Sequence, residues 1–369
     1  MIVAGDIGGT KTLLALFDWR DARVEPVWEE RYWSADYASF EDVLNEFLEE
    51  YAREASGQQE QDEHEDTAGV ERESGHSAIK GEADAEKPDV TRLPPITAAC
   101  FGVAGPIIDN VCRTTNLPWV IEGDRLASRF QIPRVRLLND LEATAHGLLL
   151  LRDDELEAIN PAASVPRPGT RALVAAGTGL GEAILFWDGE RHLICPSEGG
   201  HTDFAPNSDD EIELLRYLRA SYLHVSYERV LSGPGLYSIY QFLRDTKKNE
   251  PTWFAEKLPT GDPAVLITEA ALSGKPDICV QAMSLFVSIY GAEAGNLALK
   301  TLARGGVYLG GGIAPKILPL LKDGAFLRAF TAKGRYKRLL NAIPVHVILN
   351  PKTALLGAAA VAAQLCQTE

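Results

Sequence analysis

Two segments of the chain share one pattern: a short apolar run, a glycine-rich tip and a second apolar run. The first, GDIGGTKTLLALF, covers residues 5–17, and the second, GTGLGEAILFW, covers residues 177–187, about 170 residues later. This pattern is typical of a β-hairpin, because glycine tolerates the backbone angles of a tight turn. The repeat predicts two related halves that each contribute one hairpin and that close on a ligand between them.

Between these segments, apolar runs alternate with helical patterns. Apolar residues recur at helical spacing in residues 40–53, and residues 209–219 follow a capping Ser208. Apolar runs that end near Gly, Asn or Asp predict strands at residues 2–4, 13–17, 96–103, 135–138, 172–176, 183–187, 307–309 and 345–348. The alternation indicates an α/β fold class.

The charge limits the partners of this 369-residue chain. Its formal net charge is −16 at pH 7, whereas nucleic acids and anionic membranes attract basic surfaces, so we expect a small-molecule ligand and neither of those partners. No basic segment precedes an apolar one at the amino terminus, and the longest apolar run, residues 354–363, is shorter than the ~20 residues that span a bilayer. We therefore expect a cytoplasmic protein.

The cysteines are scattered. No CxxC pair and no histidine at zinc-ligand spacing accompanies them. We expect reduced and mostly buried thiols at Cys100, Cys112, Cys195, Cys279 and Cys366.

Residues 56–92 differ in composition from the rest of the chain. They contain eleven acids against four bases and almost no large apolar side chain. Such a segment cannot offset its ordering entropy by burial, so we expect a mobile, disordered surface insertion. A regulatory binding tail is the alternative.

The glycine-rich tips fit neither of two common nucleotide motifs. A P-loop needs glycine immediately before the lysine, where Thr10 stands, and a helix afterwards, whereas LLALF predicts a strand. In the second tip, Glu182 stands where the third glycine of a dinucleotide motif falls. Two interpretations remain: a plain tight hairpin, or a hairpin whose N–H groups and threonine hydroxyl bind phosphate, with Asp6 holding Mg²⁺ through water.

A third glycine cluster lies in GGVYLGGGIAPKIL, residues 305–318. Its pattern predicts a strand before Gly310 and Gly311 and a helix that begins near Pro315. The glycines suit a backbone that lies against a nucleotide, and a purely structural turn is the alternative.

Asn139 and Asp140 follow the apolar run 135–138. A carboxylate at the end of a strand is well placed to take a proton from a substrate hydroxyl while a neighbouring amide orients a second hydroxyl. The pair is equally an ordinary helix cap.

Glu198 and His201 flank two glycines in CPSEGGHTDFAPNS, and Glu228 precedes SGPG in SYERVLSGPG. A carboxylate and an imidazole beside open glycines can bracket vicinal hydroxyls. The segment has no H-E-x-x-H pattern and no third ligand nearby, so we do not expect a metal there. A structural histidine and a surface glutamate are the alternatives.

Six segments together resemble the bacterial glucokinase family of the hexokinase, actin and Hsp70 superfamily: GDIGGTKT, LLNDLEATAHG, AAGTGLGEAIL, PSEGGHTDFAPNS, ERVLSGPGL and YLGGGIAPKIL. The scattered cysteines point to the non-ROK branch, since ROK sugar kinases carry a cysteine-rich zinc motif. The resemblance implies a two-domain actin-like ATPase (ribonuclease H-like) fold with an interdomain cleft. A small α/β domain would comprise residues 1–150 and 353–369, and a large α/β domain residues 151–352.

The same resemblance implies an ATP- and Mg²⁺-dependent kinase that makes glucose 6-phosphate, the first step of glycolysis, and a homodimer. Asp140 would be the catalytic base, and the other glucose hydroxyls would bind Asn139, Glu198, His201 and Glu228. The residues implied to face the nucleotide and its metal are Asp6, Gly8, Gly9, Thr10, Thr178, Gly179, Gly233, Gly310 and Gly311.

Some members of the family have asparagine where this chain has Lys11, so the role of Lys11 stays open. Two other functions remain in view: a sugar-binding regulator that does not turn over, and a kinase for another hexose.

Overall fold

A computed structural model describes residues 1–18, 26–66, 95–114, 117–160, 163, 168–247 and 249–367. The chain forms two compact units: unit 1 comprises Met1–Ala143 and Leu355–Glu369, and unit 2 comprises Thr144–Ala354. The domain limits inferred from the sequence, residues 150 and 353, stay a prediction.

The first elements along the chain belong mainly to unit 1. They are β1 (Ile2–Ile7), β2 (Lys11–Phe17), β3 (Pro26–Trp33), α1 (Phe40–Asp66), β4 (Ala98–Val103), β5 (Ile107–Ile108), β6 (Val111–Arg113), β7 (Val120–Glu122), α2 (Gly123–Phe130), β8 (Val135–Asn139) and α3 (Asp140–Leu148).

The remaining elements complete unit 2 and the carboxyl-terminal helix. They are β9 (Leu156–Ala158), β10 (Arg171–Ala176), β11 (Leu180–Trp187), β12 (His192–Ser197), α4 (Asp209–Leu218), α5 (Gly233–Lys247), α6 (Thr252–Lys257), α7 (Pro263–Leu272), α8 (Asp277–Thr301), β13 (Gly306–Gly310), α9 (Leu318–Lys322), α10 (Ala325–Thr331), α11 (Lys337–Asn341), β14 (Val345–Ile348) and α12 (Thr353–Gln367).

The main sheet of unit 1 has the strand order β3-β2-β1-β4-β8. Strands β1, β2 and β3 are antiparallel neighbours, and β4 and β8 run parallel to β1. Phe40 of α1 packs edge-on against Phe101 of β4 with ring centroids 4.9 Å apart, inside the core. The carboxyl ends of the three parallel strands therefore meet at one edge, where Asp6 and Asn139 lie.

The sheet of unit 2 repeats this arrangement. Its order is β12-β11-β10-β13-β14-β9, in which β10, β11 and β12 are antiparallel neighbours and β13 and β14 run parallel to β10. Five of its strands thus correspond in order and direction to the five strands of unit 1. The α/β class and the duplicated architecture predicted from the two hairpins are confirmed.

Helix α1 is longer than predicted. The apolar spacing indicated a helix over residues 40–53, whereas α1 continues to Asp66. We expected disorder in the acidic segment, but its first part, residues 56–66, is helical. Glu and Gln are good helix formers whether or not they are buried. Residues 67–92, on which the rest of the expected mobile insertion falls, lie outside the described residues.

The long helix α8 forms the centre of the unit 2 core. It has the length and apolar composition to cross a membrane, but 72% of its apolar window is buried in the protein. A helix that is packed on every side in a protein core has the same length and apolar composition, and we interpret α8 as such a core helix.

All five cysteines are free thiols. Cys100, Cys112 and Cys279 are buried, Cys366 is partly buried and Cys195 is exposed. The expectation of reduced, mostly buried thiols is confirmed.

Candidate active site

The first glycine-rich tip joins β1 to β2 in unit 1. The Gly8 N–H donates to the Lys11 carbonyl at 3.0 Å, which closes the turn that carries Gly9 and Thr10. Ser34 braces the turn from outside, because its hydroxyl donates to the Gly8 carbonyl at 2.9 Å and its N–H to the Thr10 carbonyl at 3.0 Å. The tip is therefore a fixed hairpin in which Gly8 and Gly9 are partly exposed and Thr10 is exposed.

Asp6 and Asp140 lie at the same edge of the unit 1 sheet. Gly102 of β4 sits between their strands, and a Cβ on Gly102 would lie 2.8 Å from the Ala143 Cβ and 3.8 Å from the Asp140 Cα. Only glycine lets the first turn of α3 come this close. Asp6 keeps a small exposed surface although protein surrounds its carboxyl, and burial followed by the charge of Asp140 raises the pKa of Asp6 to about 6.

Asn139 makes the contacts of a helix cap. Its Oδ1 accepts the Leu141 N–H at 2.9 Å, and its Nδ2 donates to the Gly105 carbonyl at 3.0 Å. The amide thus fixes the start of α3 and the loop after β4. These contacts orient Asp140, the first residue of that helix.

The second glycine-rich tip joins β10 to β11 in unit 2. The Gly233 N–H donates to the Gly177 carbonyl at 2.8 Å, so Gly233 lies beside Thr178 and Gly179. Oε2 of Glu228 accepts the Leu180 N–H at 2.9 Å and would lie 2.6 Å from a Cβ on Gly179. Glu228, assigned from the sequence to the sugar, thus also holds this tip.

Glu198, His201 and Glu228 come together in unit 2. His201 Nε2 lies 4.0 Å from Glu198 Oε2, and His201 Nδ1 lies 4.0 Å from Glu228 Oε1. A β-bridge between Asp203 and Ser226 joins the two segments that carry them. The three side chains form one polar group, with exposed fractions of 73% for Glu198, 58% for His201 and 30% for Glu228.

The third glycine cluster ends β13. Gly310 is buried in the sheet, where its missing Cβ faces Leu173 of β10 at 3.3 Å. Gly311 has a φ of +78°, and a Cβ there would lie 2.3 Å from the Ala176 carbonyl oxygen. Both glycines thus have a structural reason to be glycine, and the helix predicted near Pro315 begins at Leu318.

Each tip borders a depression. In unit 1 it is lined by Gly8, Gly9 and Thr114 among others, and in unit 2 it lies between Thr178, Glu228 and the start of α5. The Arg229 guanidinium lies over the Tyr222 ring, 4.3 Å from its centroid, in the wall of the second depression. Sequence reasoning missed Tyr222 and Arg229, as it missed Ser34 and Gly102, because no motif signals contacts between segments that meet only in the fold.

The duplicated α/β units, each with a glycine-tipped hairpin, define a protein of the actin-like ATPase fold. A crystal structure of glucokinase from an Antarctic psychrotroph superimposes with a TM-score of 0.75 at 26% identity, over 98% of both chains. A glucokinase structure from Balamuthia mandrillaris in complex with glucose gives a TM-score of 0.72 at 24% identity, over 98% of this chain and 93% of that one.

The sequence comparisons are more specific. The sequence profile of the glucokinase family matches residues 3–365. A glucokinase from Synechocystis sp. (strain PCC 6803) is 41% identical over 98% of both chains. The chain belongs to the glucokinase family.

Proposed function

We propose that the protein transfers the γ-phosphoryl group of ATP to the 6-hydroxyl of glucose. The observation that carries the proposal is the position of Asp140, at the carboxyl end of β8 and on the same sheet edge as Asp6 and the first glycine-rich tip. A base beside a phosphate-binding turn is the arrangement that phosphoryl transfer to a hydroxyl requires.

Asp140 accepts the proton of the 6-hydroxyl as that oxygen attacks the phosphorus. Its position at the first turn of α3 is fixed by the Asn139 amide, which pins the helix start and the Gly105 loop at once. A positioned base of this kind contributes about 10²–10⁴ in rate. Asn139 therefore supports the base by orientation, and its remaining amide hydrogen is available to a neighbouring hydroxyl.

Glu198, His201 and Glu228 bind the other hydroxyls of the sugar. Each ring nitrogen of His201 lies 4.0 Å from one of the two carboxylates, a gap that a sugar hydroxyl can bridge. Carboxylates accept and an imidazole N–H donates, which suits vicinal hydroxyls. Because Glu228 also holds the second tip through Leu180, sugar binding and the position of that tip are linked.

The nucleotide contacts are assigned to the glycine tips. Gly9 and Thr10 in unit 1 offer main-chain N–H groups and a hydroxyl, and Thr178 and Gly179 do so in unit 2. Gly8 shapes the first tip, because its own N–H closes the turn on the Lys11 carbonyl. Gly233 supports the second tip, because its N–H donates a hydrogen bond to the Gly177 carbonyl. Gly310 and Gly311 are assigned a supporting part, because they let β13 pack against the end of β10.

The carboxylates of Asp6 and Asp140 fit a magnesium ion. Mg²⁺ is commonly held by one or two carboxylates together with substrate phosphates and water. Burial, followed by the charge of Asp140, raises the pKa of Asp6, and a bound cation would offset both effects. In the described part of the chain, no group of three or more His, Cys, Asp or Glu side chains is arranged around a metal position. When bound, Mg²⁺ supplies charge neutralisation at the transferred phosphoryl group.

The test is ATP-dependent phosphorylation of glucose by the purified chain, beside mannose, fructose and N-acetylglucosamine, with Asp140→Asn as the comparison. We expect turnover on glucose, and a loss of kcat of about 10²–10⁴ in the variant with little change in the glucose KM. An unchanged kcat with a raised KM would refute the assigned role of Asp140. Glucose binding without turnover on any sugar would instead indicate a regulator, and turnover mainly on another sugar would indicate a different hexose kinase.

The assembly and location of the protein are part of the proposal. The family resemblance supports a cytoplasmic homodimer, with glycolysis as the setting. Light scattering after size exclusion tests the dimer, and a mass of one chain, 40.2 kDa, would contradict it.

A further inference from the structure

Two carboxyl groups lie together inside unit 2. Glu182 of β11 is 1% exposed and Glu293 of α8 is 0% exposed, and their carboxyls are within hydrogen-bonding reach of each other. Two ionised carboxylates repel and neither offers a donor. Among the described residues, Oε1 of each lacks a hydrogen-bond partner. One shared proton removes the repulsion and supplies the missing donor.

The surroundings decide which of the two carries the proton. On α8, the Asn296 amide donates to Glu293 Oε2 at 2.9 Å, and Lys300 Nζ lies 3.6 Å from Glu293 Oε1. These contacts bring an amide donor and a positive charge to the Glu293 carboxyl. Burial, followed by the charge of Glu293, raises the pKa of Glu182 to about 8, so Glu182 is the acid at neutral pH.

Other charged groups complete the surroundings. Lys333, which follows α10, donates from Nζ to Asn296 Oδ1 at 2.6 Å. Glu211 of α4 also faces Lys333, whose own pKa burial lowers. Lys300, Lys333 and the Tyr227 hydroxyl therefore face Glu293, and Glu211 faces Lys333.

Glu182 touches the turn that carries the sugar-binding residues. Its Oε2 would lie 2.0 Å from a Cβ on Gly199, so the carboxyl packs directly against the Gly199 backbone. Gly199 begins the short helical turn Gly199–His201, and Glu198 immediately precedes it. A displacement of Glu182 therefore moves Glu198 and His201.

The same network reaches the other side of the sugar group. The Asn296 amide donates to the Tyr227 hydroxyl at 2.9 Å, and Tyr227 is adjacent to Glu228. The polar cluster thus lies under both segments that carry the proposed hydroxyl-binding side chains.

We propose that Glu182 is a positioning residue for sugar binding, and that it holds the Gly199–His201 turn through a proton that it shares with Glu293. The inference rests on the proposed function, since it assigns the turn to glucose. Neutral Glu182 keeps both buried carboxyls in place. Ionisation of Glu182 makes the two carboxylates repel each other, and the Glu182 carboxyl that is displaced lies directly against Gly199.

The first test compares Glu182→Ala and Glu182→Gln with the parent at pH 7. Alanine removes the donor to Glu293, so we expect the glucose KM to rise about 10-fold while the ATP KM stays within about two-fold. Glutamine donates an N–H where the acid donates an O–H, and it returns the glucose KM to within about three-fold of the parent value. Glu190→Gln, an exposed glutamate in the loop at the far end of β11, is the matched control.

The second test is the pH profile of the glucose KM from pH 6.5 to 9. The fold favours the protonated acid, so the parent loses sugar affinity as the pH rises through about 8. Glutamine at position 182 has no proton to lose, so the glucose KM of Glu182→Gln should not show the rise near pH 8 that the parent shows. Identical profiles in the two proteins would overturn the proposal, and this comparison decides the matter if the alanine variant does not fold.

Glucose binding by calorimetry separates this inference from the proposed function. If the parent binds glucose without turning it over, the kinase assignment fails, and the dissociation constants of the variants still test Glu182. If the parent phosphorylates glucose and Glu182→Ala leaves the glucose KM unchanged, only the positioning role fails. An equal rise in the KM values of glucose and ATP would also overturn it, since that would place the effect on the Gly177–Gly179 tip.

Discussion

The two glycine-tipped hairpins share a strand order but are held by different chemistry. In unit 1 the neutral hydroxyl of Ser34 braces the tip, and the acid, Asp6, lies within the hairpin itself. In unit 2 the carboxylate of Glu228 braces the tip from a segment 48 residues away, and the tip residues Gly177, Thr178 and Gly179 carry no charge.

This difference in how the two tips are held shows where each unit carries its negative charge. Unit 1 brings two carboxylates, Asp6 and Asp140, to the tip edge, which favours a cation there. Unit 2 uses the carboxylate of Glu228 to fix a backbone N–H and to face His201, the proposed sugar ligand. A common topology therefore supports two functions, and six substitutions test this division.

The largest expected effect is that of Asp6→Asn in unit 1. Loss of the carboxylate should lower kcat by about 100-fold or more, because a charge that orders the metal and phosphates is removed. The control is Asp109→Asn, at an exposed turn residue of the same unit. An equal loss of kcat in this control would contradict the role of the Asp6 carboxylate.

The pH dependence of stability gives a second readout for this variant. Burial raises the pKa of Asp6 from 3.8 to about 6, so the parent loses stability as the pH rises from 3.8 to 6, while asparagine does not. The variant should be more stable than the parent by about 3 kcal/mol at pH 7 and equally stable below pH 3.8. Urea unfolding at several pH values measures this difference.

The next effect is that of Gly200→Ala in unit 2. A Cβ there would lie 2.0 Å from the Leu180 carbonyl oxygen, whereas a Cβ on Gly8 of the first tip would lie 3.1 Å from the Lys11 oxygen. We expect Gly200→Ala to cost about 2–4 kcal/mol of unfolding free energy and to raise the glucose KM, and Gly8→Ala to cost about half as much. Thermal unfolding compares them, with Gly261→Ala as a control whose Cβ meets nothing nearer than 3.8 Å.

A smaller effect separates the two tasks of Glu228. Glu228→Gln keeps an oxygen for the Leu180 N–H but loses the charge, so the glucose KM should rise about 10-fold with stability nearly unchanged. Glu228→Ala should also lower stability, by about 1–3 kcal/mol, because the Leu180 N–H loses its acceptor. Equal stability of the two variants would show that the carboxylate does not brace the tip.

The smallest kinetic effect is expected for Ser34→Ala. It removes the donor to Gly8 and the partner of Thr12, and should lower the unfolding free energy by about 1–2 kcal/mol. Since Ser34 only braces the first tip, kcat should fall less than about three-fold. Ser128→Ala, which removes an exposed hydroxyl in α2, should leave both quantities unchanged.

Local pattern in the sequence was enough to determine the repeat and the strands β1, β2, β4, β8, β10, β11, β13 and β14. It did not predict β3, β5, β6, β7, β9 and β12. Strands β1, β2, β10 and β11 could be predicted because their apolar residues and the glycines of their turns are adjacent in the sequence. Asn139 was singled out because it follows an apolar run, and Glu198 and His201 because they flank two glycines. The extent of α1 was not, because helix propensity without an apolar face leaves no periodic signal.

Only the tertiary structure decided which of these residues meet. The sheet order brings β8 beside β4 and thereby Asp140 towards Asp6, and the bridge between Asp203 and Ser226 brings Glu228 to His201. Ser34 and Glu182 carry no motif, and they matter through contacts with Gly8 and Gly199. Strand and turn preferences act over a few neighbouring residues, so they can be predicted from the sequence. The contacts of Ser34 and Glu182 depend on packing between segments that are distant in the sequence, so they cannot.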